Sequence, residues 1–363
     1  MKDLNINIES KSIDYNIIFT ENIVDKLKVK VKDYKALLIT DRNVDELYTQ
    51  NLFKLFKEEN DKTFKYVLNP GEAAKNIENL RVIYELLLDN DFNRDDFIIS
   101  IGGGVVGDIA GLASSTYKRG INFMQVPTTL LSQVDSSIGG KTAVNFREVK
   151  NVIGTFYNPK SVLINTDYLE TLSKREYLNG FAELIKTSLI GSEDLFKILT
   201  EYNYSLRRRN KELLKKVIEK SILFKREVVK KDLYDQNKRK ILNFGHTIGH
   251  IIEANNKLNY KHGEAVALGI SFASLFSVYK NLLNRKEYDK IIEEIEKYNL
   301  PTKTDQDISF IEINSKIRQD KKISDNKINM VLLNGLFNPI LKSVSLKELK
   351  EVWSDFIEKD SGN

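Results

Sequence analysis

Apolar residues along the first half of the chain fall into two alternating rhythms. Short runs at Tyr15–Phe19, Ala36–Thr40 (ALLIT), Phe64–Leu68, Asp96–Ile101 (DFIISI) and Phe123–Thr129 (FMQVPTT) predict strands. Between them Ile23–Lys28, Val44–Lys57 and Ile77–Asp89 predict helices, the last with Ile77, Leu80, Ile83, Tyr84, Leu87 and Leu88 at helical spacing. Strands alternating with helices over short connections predict a mostly parallel sheet. In such sheets ligands bind beyond the carboxyl ends of the strands. From about Leu169 the strand pattern thins out. Tyr177–Ser188, Leu206–Val229, Thr247–Ala254 and the nearly all-apolar Val266–Tyr279 predict helices, Arg285–Lys297 a solvated helix face, and Asn329–Leu333 a strand. A chain of 363 residues exceeds one ordinary core. The expected organisation is an α/β domain over residues 1–167 and a mainly α-helical domain over residues 168–363.

The strand ending at Ile101 runs straight into glycines, and Ile101–Gly111 reads IGGGVVGDIAG. Glycines after a buried strand let a backbone approach a phosphate, and the following helix offers its positive N-terminus. The spacing G-G-G-x-x-G-D departs from the usual dinucleotide fingerprint, and tight helix packing would also use these glycines; a pyrophosphate-binding loop is the preferred reading. Asp41, at the end of an earlier strand, is a candidate for the ribose or adenine end of a nucleotide. Gly140-Lys141-Thr142 looks like the end of a Walker loop, but the position that should hold its first glycine is Asp135, so the match fails. Lys141, Lys150 and Asn151 read instead as ligands delivered on a loop. Glu183 and Lys186 sit three residues apart on one helix face. Phe181, Ala182, Leu184 and Ile185 leave little of that turn polar, which argues against an ordinary surface ion pair.

All the histidines, His246, His250 and His262, fall within a single stretch, Lys240–Val266. On a helix His246 and His250 would share a face about 5–6 Å apart; a metal pair fits that spacing, and so does one packed histidine with two chance neighbours. The chain has no cysteine, so disulfides and thiolate chemistry are excluded and any metal must be held by His, Asp and Glu. With 56 basic against 51 acidic residues, the net charge of +5 suits a phosphorylated or carboxylated substrate and makes no case for nucleic acid. The opening MKDLNINIESK lacks an apolar signal core, and no stretch approaches eighteen uninterrupted apolar residues; the expectation is a cytoplasmic protein without a membrane partner.

Six segments occur together, in order and in both halves: IGGGVVGD, Tyr117-Lys118-Arg119-Gly120, VPTTLLSQVDSSIGGKTAVN, AELIK, LNFGHTIGH and HGEAVALG. In these the chain resembles the 3-dehydroquinate synthase family of the sugar phosphate cyclase superfamily. The resemblance implies a nucleotide-binding α/β domain followed by a mainly helical domain, an active site in the interdomain cleft, bound NAD, one divalent metal (Zn2+ or Co2+) and a homodimer. It implies conversion of 3-deoxy-D-arabino-heptulosonate 7-phosphate to 3-dehydroquinate and phosphate. The metal ligands would be Glu183, His246 and His262. Cofactor contacts would come from Asp41, Gly71, Glu72 and Lys75, from Gly104, Val105, Val106, Gly107 and Asp108, and from Thr128, Thr129, Lys141, Lys150 and Thr171. Substrate contacts would come from Asp135, Lys141, Asn151, Lys186, Lys225, Arg239, Asn243, His250 and one or both of Lys321 and Lys322, with Arg119 reaching across the dimer to the phosphate.

One position departs from the family pattern, Asp235 standing where a glutamate is usual. Other readings share parts of the pattern. A metal-dependent NAD polyol dehydrogenase would consume its NAD, and a cyclase acting on sedoheptulose 7-phosphate or glucose 6-phosphate would have no substrate carboxylate for Lys225 and Arg239. A nucleotide-binding regulator with an inactive site would not need the full set of lysines and metal ligands.

Overall fold

Two strands buried along nearly their whole length, Ala36–Asp41 and Phe97–Gly102, lie side by side as interior strands of the first unit's sheet. The computed structural model describes residues 4–10, 13–147, 149–255, 258–304, 309–319 and 327–357. The chain divides into two compact units, Met1–Leu172 and Ser173–Asn363.

The strands of the first unit are β1 (Leu4–Ser10), β2 (Ile13–Phe19), β3 (Ala36–Asp41), β4 (Thr63–Leu68), β5 (Phe97–Gly102), β6 (Asn122–Pro127), β7 (Lys141–Phe146), β8 (Val149–Phe156) and β9 (Ser161–Ile164). Seven form one sheet in the order β1-β2-β9-β6-β5-β3-β4, parallel except for the β1–β2 pair. Alternate residues face opposite sides. Leu37, Ile39, Ile98 and Phe123 pack with Leu80, Ile83 and Ile109 from helices Ile77–Asp89 and Gly104–Thr116. Leu38, Ile99, Met124 and Val126 pack with Leu27 and Phe56 from helices Ile23–Val31 and Gln50–Glu59. Strand β3 leads outward to β4 on one side, while β5 leads to β6 on the other. The carboxyl ends of β3 and β5, Asp41 and Gly102, therefore flank the topological switch point.

Several sequence-based expectations need correction here. The alternation of Leu4, Ile6 and Ile8 is a strand signal beyond the strands predicted above, and it forms β1. Lys141, Lys150 and Asn151 lie on the antiparallel hairpin β7–β8 and not on a loop. Strand β8 is exposed on both faces, so its sequence carries no alternation to read. The predicted helix Val44–Lys57 breaks into a turn at Arg42–Val44, a π-helical turn at Asp45–Thr49 and the helix Gln50–Glu59. In it the buried Asp45 pairs with Lys65 at 2.8 Å.

The second unit is mainly helical. Its helices include Lys174–Asn179, Phe181–Leu189, Lys211–Lys231, His246–Glu253, His262–Tyr279 and Arg285–Lys297, beside the hairpin of β10 (Lys327–Leu333) and β11 (Pro339–Ser345). Tyr177–Ser188 is not one helix but breaks at Gly180. The long helix predicted from Leu206 is interrupted where Arg209 takes a left-handed φ of 62° and Asn210 caps a new start. The Arg285–Lys297 helix is not purely solvated, since Tyr288, Ile291, Glu294 and Ile295 are buried.

Glycines let the backbones of the two histidine-bearing helices nearly touch. A Cβ on Gly269 would lie 1.8 Å from the Gly245 carbonyl oxygen, and one on Gly249 would lie 2.9 Å from that of Ala265. At the other end the Gly263 amide donates to Asn179 Oδ1 at 2.6 Å, and a Cβ there would stand 2.0 Å from the Asn179 carbonyl. Gly269→Ala is therefore expected to destabilise the fold by about 3 kcal/mol in urea or thermal melts, because the clash is with backbone that cannot rotate away. Gly107→Ala is the control: its added Cβ would stand 3.6 Å from the Gln125 side chain, an ordinary contact. It is expected to change stability by less than about 1 kcal/mol.

Candidate functional site

In the second unit, helix Phe181–Leu189 carries Glu183 into the interior, where it has no exposed surface. Glu183 Oε1 lies 3.4 Å from His246 Nε2 and 3.4 Å from His262 Nε2, while Oε2 forms an ion pair with Lys186. The Glu183–Lys186 pair is thus fully buried. His246 Nδ1 is 3.1 Å from the Phe244 carbonyl, and His262 Nδ1 is 3.1 Å from Glu253 Oε2. Carbonyl and carboxylate oxygens only accept, so both Nδ1 atoms donate and both Nε2 atoms face Glu183. Glu183, His246 and His262 offer donor atoms that all lie within 4.8 Å of one another. This nitrogen–nitrogen–oxygen set suits a divalent ion such as zinc.

His250 is exposed, its ring 5.1 Å from that of His246 and 6.1 Å from that of His262. The spacing of one helical turn is realised, yet the carboxylate groups with His246 and His262. His250 falls instead in a second potential group with Glu253 and His262.

Burial opposes charge on Glu183, but the Lys186 ammonium and the imidazoles of His246 and His262 outweigh it and hold the carboxyl well below its usual range. Burial also works against the His262 cation. Hydrogen bonds and charge from Glu183 and Glu253 overcome it and push His262 up to about 10.

Lys186, Lys225 and Arg239 are, among the described residues, the buried cations of this unit. Arg239 lies in the helical turn Lys238–Asn243, which also ends on the half-buried Asn243. That turn is shaped by Asp232, whose carboxylate accepts the amides of Gln236, Asn237 and Arg239 at 3.0, 2.6 and 3.0 Å. Asp235 takes a left-handed φ of 57° in the same segment. Lys321 and Lys322 lie outside the described residues.

In the first unit the glycines make a close turn between β5 and the helix Gly104–Thr116. A Cβ on Gly102 would strike Val106 at 2.6 Å, and Cβ atoms on Gly103 and Gly104 would crowd Thr129 and Ser136 at 3.2 and 3.1 Å. Gly102, Gly103, Gly104, Gly107, Ser132 and Ser136 line a small cavity here. The Thr128 amide donates to the Gly102 carbonyl at 3.0 Å, while Thr128 Oγ1 and Ser136 Oγ are buried without a hydrogen-bond partner among the described residues. Such a cradle, with unsatisfied hydroxyls and a helix N-terminus, fits a dinucleotide phosphate. Val105 and Val106 follow on the first turn of the helix.

Around the cradle the expected cofactor residues interlock. Lys75 donates to Asp108 at 2.5 Å and also to Asn151 Oδ1. Asn145 donates from its side chain to Glu72 at 2.7 Å and from its backbone to the Lys75 carbonyl at 2.8 Å. Gly71, with φ of 100°, opens the Glu72–Ala74 turn. Asp41 caps the turn after β3, accepting from Asn43 and Val44 at 2.9 and 3.2 Å. Burial pushes its carboxyl up, only partly offset by those amides. Thr171 is 2.5 Å from the Tyr48 hydroxyl. Lys141 and Lys150 are exposed on the hairpin, and Asp135 lies in the π-helical turn Ser132–Ser136 beside the glycines.

Comparison with known proteins agrees with both halves. The family model described as 3-dehydroquinate synthase N-terminal matches residues 65–179, and that described as 3-dehydroquinate synthase C-terminal matches residues 180–323. A 3-dehydroquinate synthase of Thermoanaerobacter pseudethanolicus is 41% identical over 352 residues, covering 96% of this chain and 99% of the relative. The chain belongs to the 3-dehydroquinate synthase family. A solved 2-deoxy-scyllo-inosose synthase, complexed with carbaglucose-6-phosphate, NAD+ and Co2+, superposes with a TM-score of 0.85 at 25% identity, covering 98% of this chain and 100% of that one. The 2-epi-5-epi-valiolone synthase of Streptomyces hygroscopicus subsp. jinggangensis 5008, solved with NAD+ and Zn2+ bound, has a TM-score of 0.87 at 24% identity, with 96% and 98% of the two chains covered. It shares the fold. Among the described residues no helix is long and apolar enough to cross a membrane.

Sequence reasoning missed several supporting residues of these two clusters. Asn145 and Asn179 are single polar residues in apolar surroundings, and nothing local marks their partners. Glu253 carried a signal, since it lies three residues after His250 on the predicted helix Thr247–Ala254 and seven after His246.

The His262 shift has a sign that can be measured. A folded value raised to about 10 stabilises the metal-free fold fully below the ordinary histidine range and is lost as pH rises through about 10. The difference in stability between chelator-treated wild type and His262→Gln is therefore expected to be largest near pH 6 and to shrink steadily towards pH ~10, read from urea melts.

Proposed function

We propose that the chain converts 3-deoxy-D-arabino-heptulosonate 7-phosphate to 3-dehydroquinate and phosphate, using NAD and one divalent metal, zinc or cobalt. The observation that carries this reading is the choice of buried cations. Among the described residues the buried lysines and arginines are Lys75, Lys186, Lys225 and Arg239, and each belongs to the set expected to meet cofactor or substrate. Placing positive charge in the interior is unfavourable unless anions join it. Asp108 and Glu183 pair with Lys75 and Lys186, and a substrate bearing a carboxylate and a phosphate would add further anions beside this concentration of buried cations.

Glu183, His246 and His262 would hold the metal, and two histidines with one carboxylate leave coordination positions for substrate. Gly104, Val105, Val106, Gly107 and Asp108 would hold the NAD pyrophosphate, with Asp41 at the ribose and Gly71, Glu72, Lys75, Thr128, Thr129, Lys150 and Thr171 around the remainder. When bound, NAD supplies a regenerated hydride acceptor and the metal a Lewis acid for the substrate's vicinal diol. Arg239 grips the carboxylate through its planar fork, with Lys225 as the second charge. Lys141, Asn243, Lys321 and Lys322 neutralise phosphate, while Asp135, Asn151 and Lys186 orient the hydroxyls. His250, outside the Glu183–His246–His262 set, would carry a proton. Asp235 is one methylene shorter than the family's usual glutamate, and a bridging water would restore its reach.

The proposal includes a cytoplasmic homodimer in which Arg119 meets the phosphate held by the second copy. Arg119 is exposed on a turn where Lys118, Arg119 and Gly120 all take positive φ, at 48°, 64° and 128°. Tyr117 anchors the turn through hydrogen bonds to the Leu87 and Phe92 carbonyls. Backbone strain retained at an outward-facing arginine supports a contact role.

With purified protein, heptulosonate phosphate, Zn2+ and NAD in trace amounts, phosphate is expected to be released over many turnovers without NADH accumulating. No phosphate, or NADH formed in step with product, would sink the cyclase reading. Alanine at Glu183, His246 or His262 is expected to lower bound metal from roughly one ion per chain to near zero. His250→Ala is expected to keep its metal and lose turnover by about a hundredfold or more. Metal analysis beside the phosphate assay separates the two classes.

A further inference from the structure

We infer that Glu253 is a positioning residue of the metal centre, holding the His262 ring so that Nε2 faces Glu183; the inference rests on the metal reading proposed above. Each metal-facing imidazole needs its other nitrogen engaged, or the ring can turn and present the wrong atom. For His246 that anchor is backbone, the Phe244 carbonyl at 3.1 Å, two residues away and fixed by the local turn. Among the described residues His262 has no such backbone neighbour. Its Nδ1 is met by Glu253 Oε2, also at 3.1 Å, from nine residues earlier in the chain. The two carboxylates stand at opposite ends of one ring, since His262 Nε2 faces Glu183 at 3.4 Å. Glu253 is the last residue of the helix that begins with His246, and its side chain is only 16% exposed. One helix therefore delivers a ligand at its start and the clamp for the other ligand at its end, two turns along one face. A carboxylate acceptor also raises the electron density at the opposite nitrogen, which a carbonyl does less. The two histidines are thereby unequal, and His262 is the one whose orientation is set by a replaceable side chain.

The test uses the full chain, stripped with a chelator and titrated with Co2+, with cobalt absorption giving affinity and stoichiometry and phosphate release measured alongside. Glu253→Ala is expected to weaken Co2+ about 10–100-fold at unchanged stoichiometry. Glu253→Gln, whose side-chain carbonyl still accepts from Nδ1, is expected to recover most of that loss. Should Glu253→Ala fail to fold, Glu253→Asp carries the test: it keeps the charge but falls one methylene short, and it too is expected to bind Co2+ more weakly. Affinity within about threefold of wild type in the alanine or aspartate variant would overturn the inference. So would loss of one of two bound ions in Glu253→Ala, because Glu253 would then be a ligand of a second ion shared with His250. If wild type takes up no Co2+, or Glu183→Ala binds it as wild type does, the metal reading itself fails, whatever Glu253 does.

Discussion

One fully buried carboxylate governs the second unit. Glu183 gives up its hydration entirely, a loss that only close positive charge and hydrogen bonds can offset. Lys186 supplies the first from the same helix face, and the two imidazoles supply the rest from helices distant in sequence. The architecture around Glu183 is what brings those helices in. Gly245, Gly249 and Gly269 remove the side chains that would hold His246–Glu253 away from His262–Tyr279. Asn179 and Gly263 tie the start of the latter helix to the chain just before Glu183. Arg175 reinforces that junction through a two-pronged pair with Glu264 at 2.7 and 2.6 Å.

The first unit solves a different problem, presenting backbone donors where a sheet reverses its order. Its glycines are required by what surrounds them, for Val106, Thr129 and Ser136 occupy the space a Cβ would need. The Lys75–Asp108–Asn151 contacts then join a turn, a helix N-terminus and a hairpin into one polar network around the cradle. Such networks are rigid when satisfied, and the hydroxyls left unsatisfied beside them are where a ligand gains most.

Burying Lys75, Lys186, Lys225 and Arg239 lowers the stability available to the fold, and it is tolerated because both units have extensive apolar cores. Positive φ at Lys118, Arg119 and Asp235 adds to that load. Lys186, Lys118 and Arg119 fall within the family's motifs, where consistent local folding rules are expected to yield to chemistry.

Much was legible in the chain itself. Continuous apolar runs marked β3 and β5, alternation with helices gave the parallel sheet, and the ordered motifs from IGGGVVGD to HGEAVALG pointed to the family in which the comparisons place the chain. These are local or linear properties, carried by residue type and spacing. The hairpin β7–β8 was not legible, because a strand exposed on both faces has no hydrophobic rhythm. Nor could spacing choose among the histidines, since it favoured His246 with His250. Only the folding of three helices around Glu183 turned His262 Nε2 towards the carboxylate and placed Glu253 behind it. Sequence determined which groups are present; the close approach of glycine-stripped backbones decided which of them meet.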